Sequence, residues 1–155
     1  MIQRLQSIYL FLASLAVLAL FIFPIAHNVY IGPTPKTIKV TGIYQDVAGQ
    51  MVRSESFLAL TIVTIIMAIL PLIILLMFKN RKQQMALCYG LIFAMIGFSF
   101  WMSQTVHDIV EAARIRTENY GIGALLTSVS IIFLLLAIRG IKNDEKLVKS
   151  ADRLR

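Results

Sequence analysis

The chain has 155 residues, of which 58% are hydrophobic, and its formal net charge is +7. Soluble domains contain about 45–50% apolar residues, so this composition and the mean hydropathy of +0.78 argue against an ordinary soluble domain. A single cysteine, Cys88, excludes an internal disulfide framework. No nucleic-acid-binding motif accompanies the positive charge, which is better explained by membrane topology.

Four long runs of the sequence contain no charged residue. A hydrocarbon core about 30 Å thick requires roughly 20 apolar residues in a helix. We therefore predict an all-α membrane protein, a four-transmembrane-helix bundle forming one integral membrane domain over residues 1–155. The spans are expected at about residues 5–26, 57–78, 85–103 and 121–138, the outer loops at 27–56 and 104–120, and a cytoplasmic tail at 139–155.

The basic residues predict the orientation of this bundle. With both termini on the cytoplasmic side (N-in/C-in), ten Lys and Arg residues fall inside and five fall outside. This bias agrees with the positive-inside rule. The residues expected to act as topology anchors are Lys79, Arg81, Lys82 and Arg139.

The first outer loop shows a pattern of two residues per repeat, with Ile38, Val40 and Tyr44 alternating with other side chains. This alternation predicts one short strand over 37–44, returning through 46–52 as a hairpin; an irregular loop is the alternative. A helical pattern over 106–113 predicts that the third helix extends beyond the membrane. Together the two segments are expected to form a small outer cap.

Small residues recur along the third predicted span at Ala86, Gly90 and Ala94, with Gly97 three positions further. Such a ladder lets two helices approach closely in a membrane. Packing inside the bundle and self-association between copies both remain open as its role. In the second span, Pro71 predicts a bend, which serves either packing or a gating hinge.

The sequence predicts no enzyme. No G-x-S-x-G, H-E-x-x-H or Gly-rich phosphate loop is present, and no catalytic residue, cofactor or metal is expected. His107 and Glu111 have a spacing that suits a metal, but ordinary ion pairs of Glu111 and Glu118 with Arg114 explain this segment better.

The tail predicts an amphipathic cytoplasmic helix of about fourteen residues. Basic side chains fall on one face of this helix and apolar side chains on another, so it suits docking on a protein or on the inner membrane surface. The residues expected to form this cytoplasmic docking surface are Lys142, Lys146, Leu147, Lys149, Ala151, Arg153 and Leu154.

Several stretches of the chain resemble a family of bacterial four-span inner-membrane proteins that is defined as a domain of unknown function, number 4293. The tail carries the most specific of these matches. The resemblance implies a multi-pass address in the bacterial cytoplasmic (inner) membrane, and it implies no activity, cofactor or catalytic residue. The stretches are residues 1–4, 78–82 with Cys88 beyond, 120–123, 136–139, 144–150 and 152–155.

Together these patterns predict a non-catalytic integral membrane protein, a scaffold or accessory subunit that binds partner membrane or cytoplasmic proteins. The expected partners are the lipid bilayer and a protein bound through the bundle or the tail, without nucleic acid and with a homo-oligomer left open. The alternative is a small oligomeric transporter or channel for a neutral or lipid-like substrate. The spans lack deep ionisable residues, which makes ion-coupled transport the weaker hypothesis.

Overall fold

The computed structural model describes residues 2–30, 34–47, 49–77, 80–110 and 119–152. This part of the chain contains four α-helices and a four-stranded antiparallel sheet with strand order β1-β2-β3-β4. The helices are α1 (Ile2–Leu18, followed by a 3₁₀ turn at Ala19–Phe21), α2 (Leu58–Leu76), α3 (Arg81–Val110) and α4 (Gly123–Asp152). The strands are β1 (Ala26–Tyr30), β2 (Pro35–Lys39), β3 (Gly42–Val47) and β4 (Gln50–Ser56).

Three of the described helices are long and apolar enough to cross a membrane, namely α2, α3 and α4. The first apolar helix covers only Leu5–Phe21, which is shorter than the roughly 20 residues that a hydrocarbon core requires. The predicted first span at 5–26 is wrong because the chain leaves the helix before Pro24, and Ala26 already belongs to β1.

The predicted all-α, four-transmembrane-helix bundle is therefore wrong in two respects. The predicted N-in/C-in topology was argued from four spans, so it loses its support as well. The described residues provide three candidate spans instead of four. A meander of four strands also occupies most of the segment that was expected to be an outer loop with one short strand.

The predicted strand over 37–44 is also wrong, because a turn at Val40 and Thr41 divides it into β2 and β3. Gly42, which follows this turn, has φ of +147°, a value that favours glycine. A Cβ at Gly42 would overlap the carbonyl oxygen of Glu55 in β4. The alternating pattern continues through the turn because Val40 is itself buried.

Helix α1 lies at the centre of the helical packing, with its most extensive contacts to α4 and then to α2. Two buried hydroxyls reinforce these contacts: Ser14 Oγ donates to the Ala68 carbonyl at 2.6 Å, and Ser130 Oγ donates to the Ala13 carbonyl at 3.0 Å. The Ser14 bond lies in the turn before Pro71, which α2 contains without interruption. Helix α1 thus donates a hydrogen bond to α2 close to its proline, where the helix lacks one backbone donor.

The sheet is joined to the start of α4 through the backbone. The N–H of Gly121 donates to the Ile25 carbonyl at 2.8 Å, and the N–H of Gly123 donates to the Pro24 carbonyl at 3.0 Å. We call this end of the helices the sheet end.

The sheet and the far end of α3 share one hydrophobic cluster, which includes Ile38, Val40 and Val106. This agrees with an apolar cap at the sheet end, formed by a meander instead of the single strand that was expected. Residues 111–113 of the predicted helical extension lie outside the described residues.

The tail does not form a helix of its own. Helix α4 continues without interruption through Arg139 to Asp152, so the predicted fourteen-residue helix is the end of a thirty-residue one. Charged residues end an apolar span, but they do not end a helix, since Arg and Lys are good helix formers.

Candidate functional site

The end of the helices opposite the sheet carries most of the described basic side chains, and we call it the basic end. Of the five Lys and Arg side chains that the structure describes at this end, four are exposed and the fifth, Arg81, is partly buried. The basic end therefore offers a positive surface close to the apolar parts of three helices. The described basic side chains are those of Arg81, Lys82, Arg139, Lys142 and Lys146.

Two contacts hold α3 and α4 together at the basic end. Arg81 Nη2 lies 3.7 Å from Asp144 Oδ2, and Arg81 Nη1 donates to the Asp144 carbonyl at 3.1 Å. Lys142 Nζ lies 5.6 Å from the centre of the Tyr89 ring, within the range of a cation–π interaction. Arg81 is thus engaged by Asp144, whereas no ion pair joins Lys82 to another described residue.

The interior at the basic end is polar. Gln84 is 2% exposed, and its Nε2 donates to the Ile74 carbonyl at 3.1 Å, which also accepts the backbone N–H of Met77 at the end of α2. Gln6 on α1 is also buried, beside Gly140 of α4. The Oε1 atoms of Gln6 and Gln84 have no hydrogen-bond partner among the described residues.

An apolar groove separates α2 from α3 over the turns next to the basic end. We call it the α2–α3 groove. Its volume is about 250 Å³, and nothing lies within 4 Å of a Cβ built on Gly90. The side of α3 that faces this groove is therefore open. The groove is lined by Leu70, Ile73, Ile74, Leu87, Gly90, Leu91 and Ala94.

At the sheet end, the β3–β4 hairpin projects from the body of the protein. All seven residues of β4 are exposed, and β4 is an edge strand. The register pairs Gln45 with Val52 and Val47 with Gln50, so these four side chains share one face of the hairpin. Val47 and Val52 place apolar side chains, 51% and 49% exposed, on that face.

The predicted helix-packing ladder lies on the outside of the described structure. Ala86, Gly90 and Gly97 are exposed, and Ala94 is half-buried. No heavy atom lies within 4 Å of a Cβ at Gly90 or Gly97. The structure therefore brings no helix against these glycines, and self-association remains a prediction.

The predicted anchors and docking residues are only partly brought together. Arg81, Lys82, Arg139, Lys142 and Lys146 share the basic end, while Lys79, Arg153 and Leu154 lie outside the described residues. Leu147, Lys149 and Ala151 lie on the last turns of α4.

Sequence reasoning missed Gln6, Gln84 and Ser14, which make or seek polar contacts inside the helical core. Their signal was a polar side chain within or beside a charge-free run. Ser130 in α4 is a further example, since it donates to α1.

Among the described residues, no group of three or more His, Cys, Asp or Glu side chains is placed to hold a metal ion. His107 is exposed near the end of α3, and its suggested partner Glu111 lies outside the described part of the chain. Cys88 is a buried free cysteine within α3.

The protein has a sheet packed at one end of apolar helices, and three of these helices are long and apolar enough to cross a membrane. This arrangement is typical of a membrane-associated protein. The chain belongs to the family described as "Domain of unknown function (DUF4293)", whose family model matches residues 2–154. This match confirms the resemblance to that family, without its bacterial or four-span details. No curated protein matches the chain.

Proposed function

We propose that the protein is a non-catalytic, multi-pass protein of the bacterial cytoplasmic (inner) membrane, in which α2, α3 and α4 cross the bilayer. Large apolar side chains cover the outward faces of these helices: Leu58, Phe93 and Leu125 are 68%, 75% and 64% exposed. Water disfavours so large an apolar surface, whereas lipid covers it without a free-energy penalty.

We further propose that the protein acts as a scaffold or accessory subunit, which binds a partner protein through the β3–β4 hairpin. The observation that carries this proposal is that β4 is exposed along its whole length. Exposed edge strands with apolar side chains promote unwanted pairing, so proteins generally cover or charge them. Val47 and Val52 instead present an uncovered apolar face, which fits a surface that a partner covers.

Co-purification of the tagged protein in mild detergent tests this role. We expect a stoichiometric partner to accompany the wild-type chain, and the double substitution Val47→Asp with Val52→Asp to reduce its recovery at least tenfold. Because both positions are exposed, the double variant is expected to fold normally.

The control is Gln45→Asp with Gln50→Asp, which adds the same charge on the same face of the hairpin and keeps both valines. This control is expected to retain the partner. The proposed role fails if no stoichiometric partner is recovered, or if the two double variants behave alike.

A further inference from the structure

We propose that two copies of the chain form a parallel, two-fold symmetric dimer in the membrane, in which Phe93 of each copy enters the α2–α3 groove of the other. This inference depends on the proposed membrane association of α2 and α3, and it does not use the β3–β4 hairpin. The dimer and the partner-binding role of the hairpin can therefore fail independently.

Phe93 projects from α3 beside the groove. It is 75% exposed, more than any other large hydrophobic side chain that the structure describes. The groove has a volume of about 250 Å³, and it is lined by apolar residues of α2 and α3. One helix thus presents a large apolar side chain next to an apolar space that such a side chain can fill.

The arrangement is self-complementary under a two-fold rotation. At 3.6 residues per turn, Phe93 lies about 60° to one side of Gly90 on the circumference of α3, and Leu87 lies about 60° to the other side. Leu87 lines the groove. A two-fold axis that runs along the membrane normal in front of Gly90 exchanges these two sides. It therefore places Phe93 of each copy opposite the groove of the other, as in an isologous interface.

The depths of the two features in the membrane also match. In a parallel dimer, equivalent residues of the two copies lie at equal depth. Side chains on a helix tilt toward its N-terminus, so the ring of Phe93 covers the preceding turn, near Tyr89 and Gly90. The groove extends along α3 from Leu87 to Ala94, and the ring therefore meets its middle.

Small residues leave room for the two α3 helices to approach. Ala86 and Gly90 are exposed, and no heavy atom lies within 4 Å of a Cβ built on Gly90. Such residues permit close packing of helices in a membrane, but they do not select a partner. The projecting ring and the groove supply that selection. An acyl chain is the competing occupant of the groove, and it does not require a projecting side chain beside it.

Native mass spectrometry of the full chain in mild detergent tests the dimer. We expect the wild type to be dimeric, and Phe93→Ala to raise the dissociation constant about tenfold or more, because a central aromatic side chain carries much of the binding energy of an interface. The matched control is Phe11→Ala, which removes a 54% exposed ring from α1. This control should leave the dimer unchanged.

The groove is tested by Ala94→Leu, which should weaken the dimer because the added side chain occupies the groove. Mixing this variant with Phe93→Ala restores one complete contact, since Phe93 of the first copy faces an unfilled groove in the second. With a mass tag on one variant, we expect the mixed dimer to be more abundant than either homodimer. Leu87→Phe provides a second substitution in the groove should Ala94→Leu fail to fold.

Three results would overturn the proposal. The first is a monomeric wild type, and the second is a Phe93→Ala dimer as stable as that of Phe11→Ala. The third is a mixed dimer no more abundant than the two homodimers. Loss of a bound lipid from Ala94→Leu without weakening of the dimer would also overturn it, and would assign the groove to an acyl chain.

Discussion

Replacement of Gly123 by alanine is expected to lower the free energy of unfolding by about 1–3 kcal/mol, as overpacking costs in a core. A Cβ at this position would lie 2.5 Å from the Pro24 carbonyl oxygen and 2.9 Å from that of Phe23. Both atoms belong to the backbone, so neither can move aside as a flexible side chain would. The first turn of α4 would have to separate from the segment that leads into β1.

The control is Gly97→Ala, inside α3, where nothing lies within 4 Å of the added Cβ. Alanine is favoured over glycine in a helix by about 1 kcal/mol, so this variant should be as stable as the wild type or more stable. Thermal melting in detergent, followed by circular dichroism, measures both variants. Equal melting temperatures would contradict the close contact between α4 and Pro24.

This contact gives physical meaning to the glycines at 121 and 123, which precede the last apolar run of the sequence. Gly121 is similarly constrained, since a Cβ there would overlap the Pro24 carbonyl oxygen. A turn before an apolar span was predictable from this pair. The partner was not, because Pro24 lies about a hundred residues away in the sequence.

Charge-free length predicted the positions of the apolar parts of α2, α3 and α4, and α2 continues through Pro71. It failed for the first run, in which residues 22–26 are as apolar as the helix before them but form a turn and the start of a strand. Hydropathy reports where a segment is buried, and not whether lipid or a sheet covers it.

The candidate sites, like the helices, could be predicted only in part from the sequence. The basic segment before α3 and the ladder of small residues were both visible in the sequence. The pairing of Arg81 with Asp144, 63 residues apart, was not, nor was the side of α3 on which the groove opens. Both depend on the rotation of one helix against another, which periodicity alone does not determine.

Replacement of Ile38 by alanine is expected to cost about 2–5 kcal/mol, the usual range for removing a large aliphatic side chain from a core. Ile38 lies in β2 and is 0% exposed, in the same hydrophobic cluster as Val106 of α3. The cavity would lie between the sheet and the helices, where neither side closes it easily. Equilibrium unfolding in detergent measures the loss.

Val52→Ala is the control on the same sheet, because Val52 is 49% exposed in β4 and should change stability by no more than about 0.5 kcal/mol. The two variants together distinguish between a sheet that is packed on the helices and a sheet that only connects them. Similar small costs at both positions would show that the meander is a loose attachment. A large cost at Ile38 alone means that the sheet and the helices share one core and unfold together.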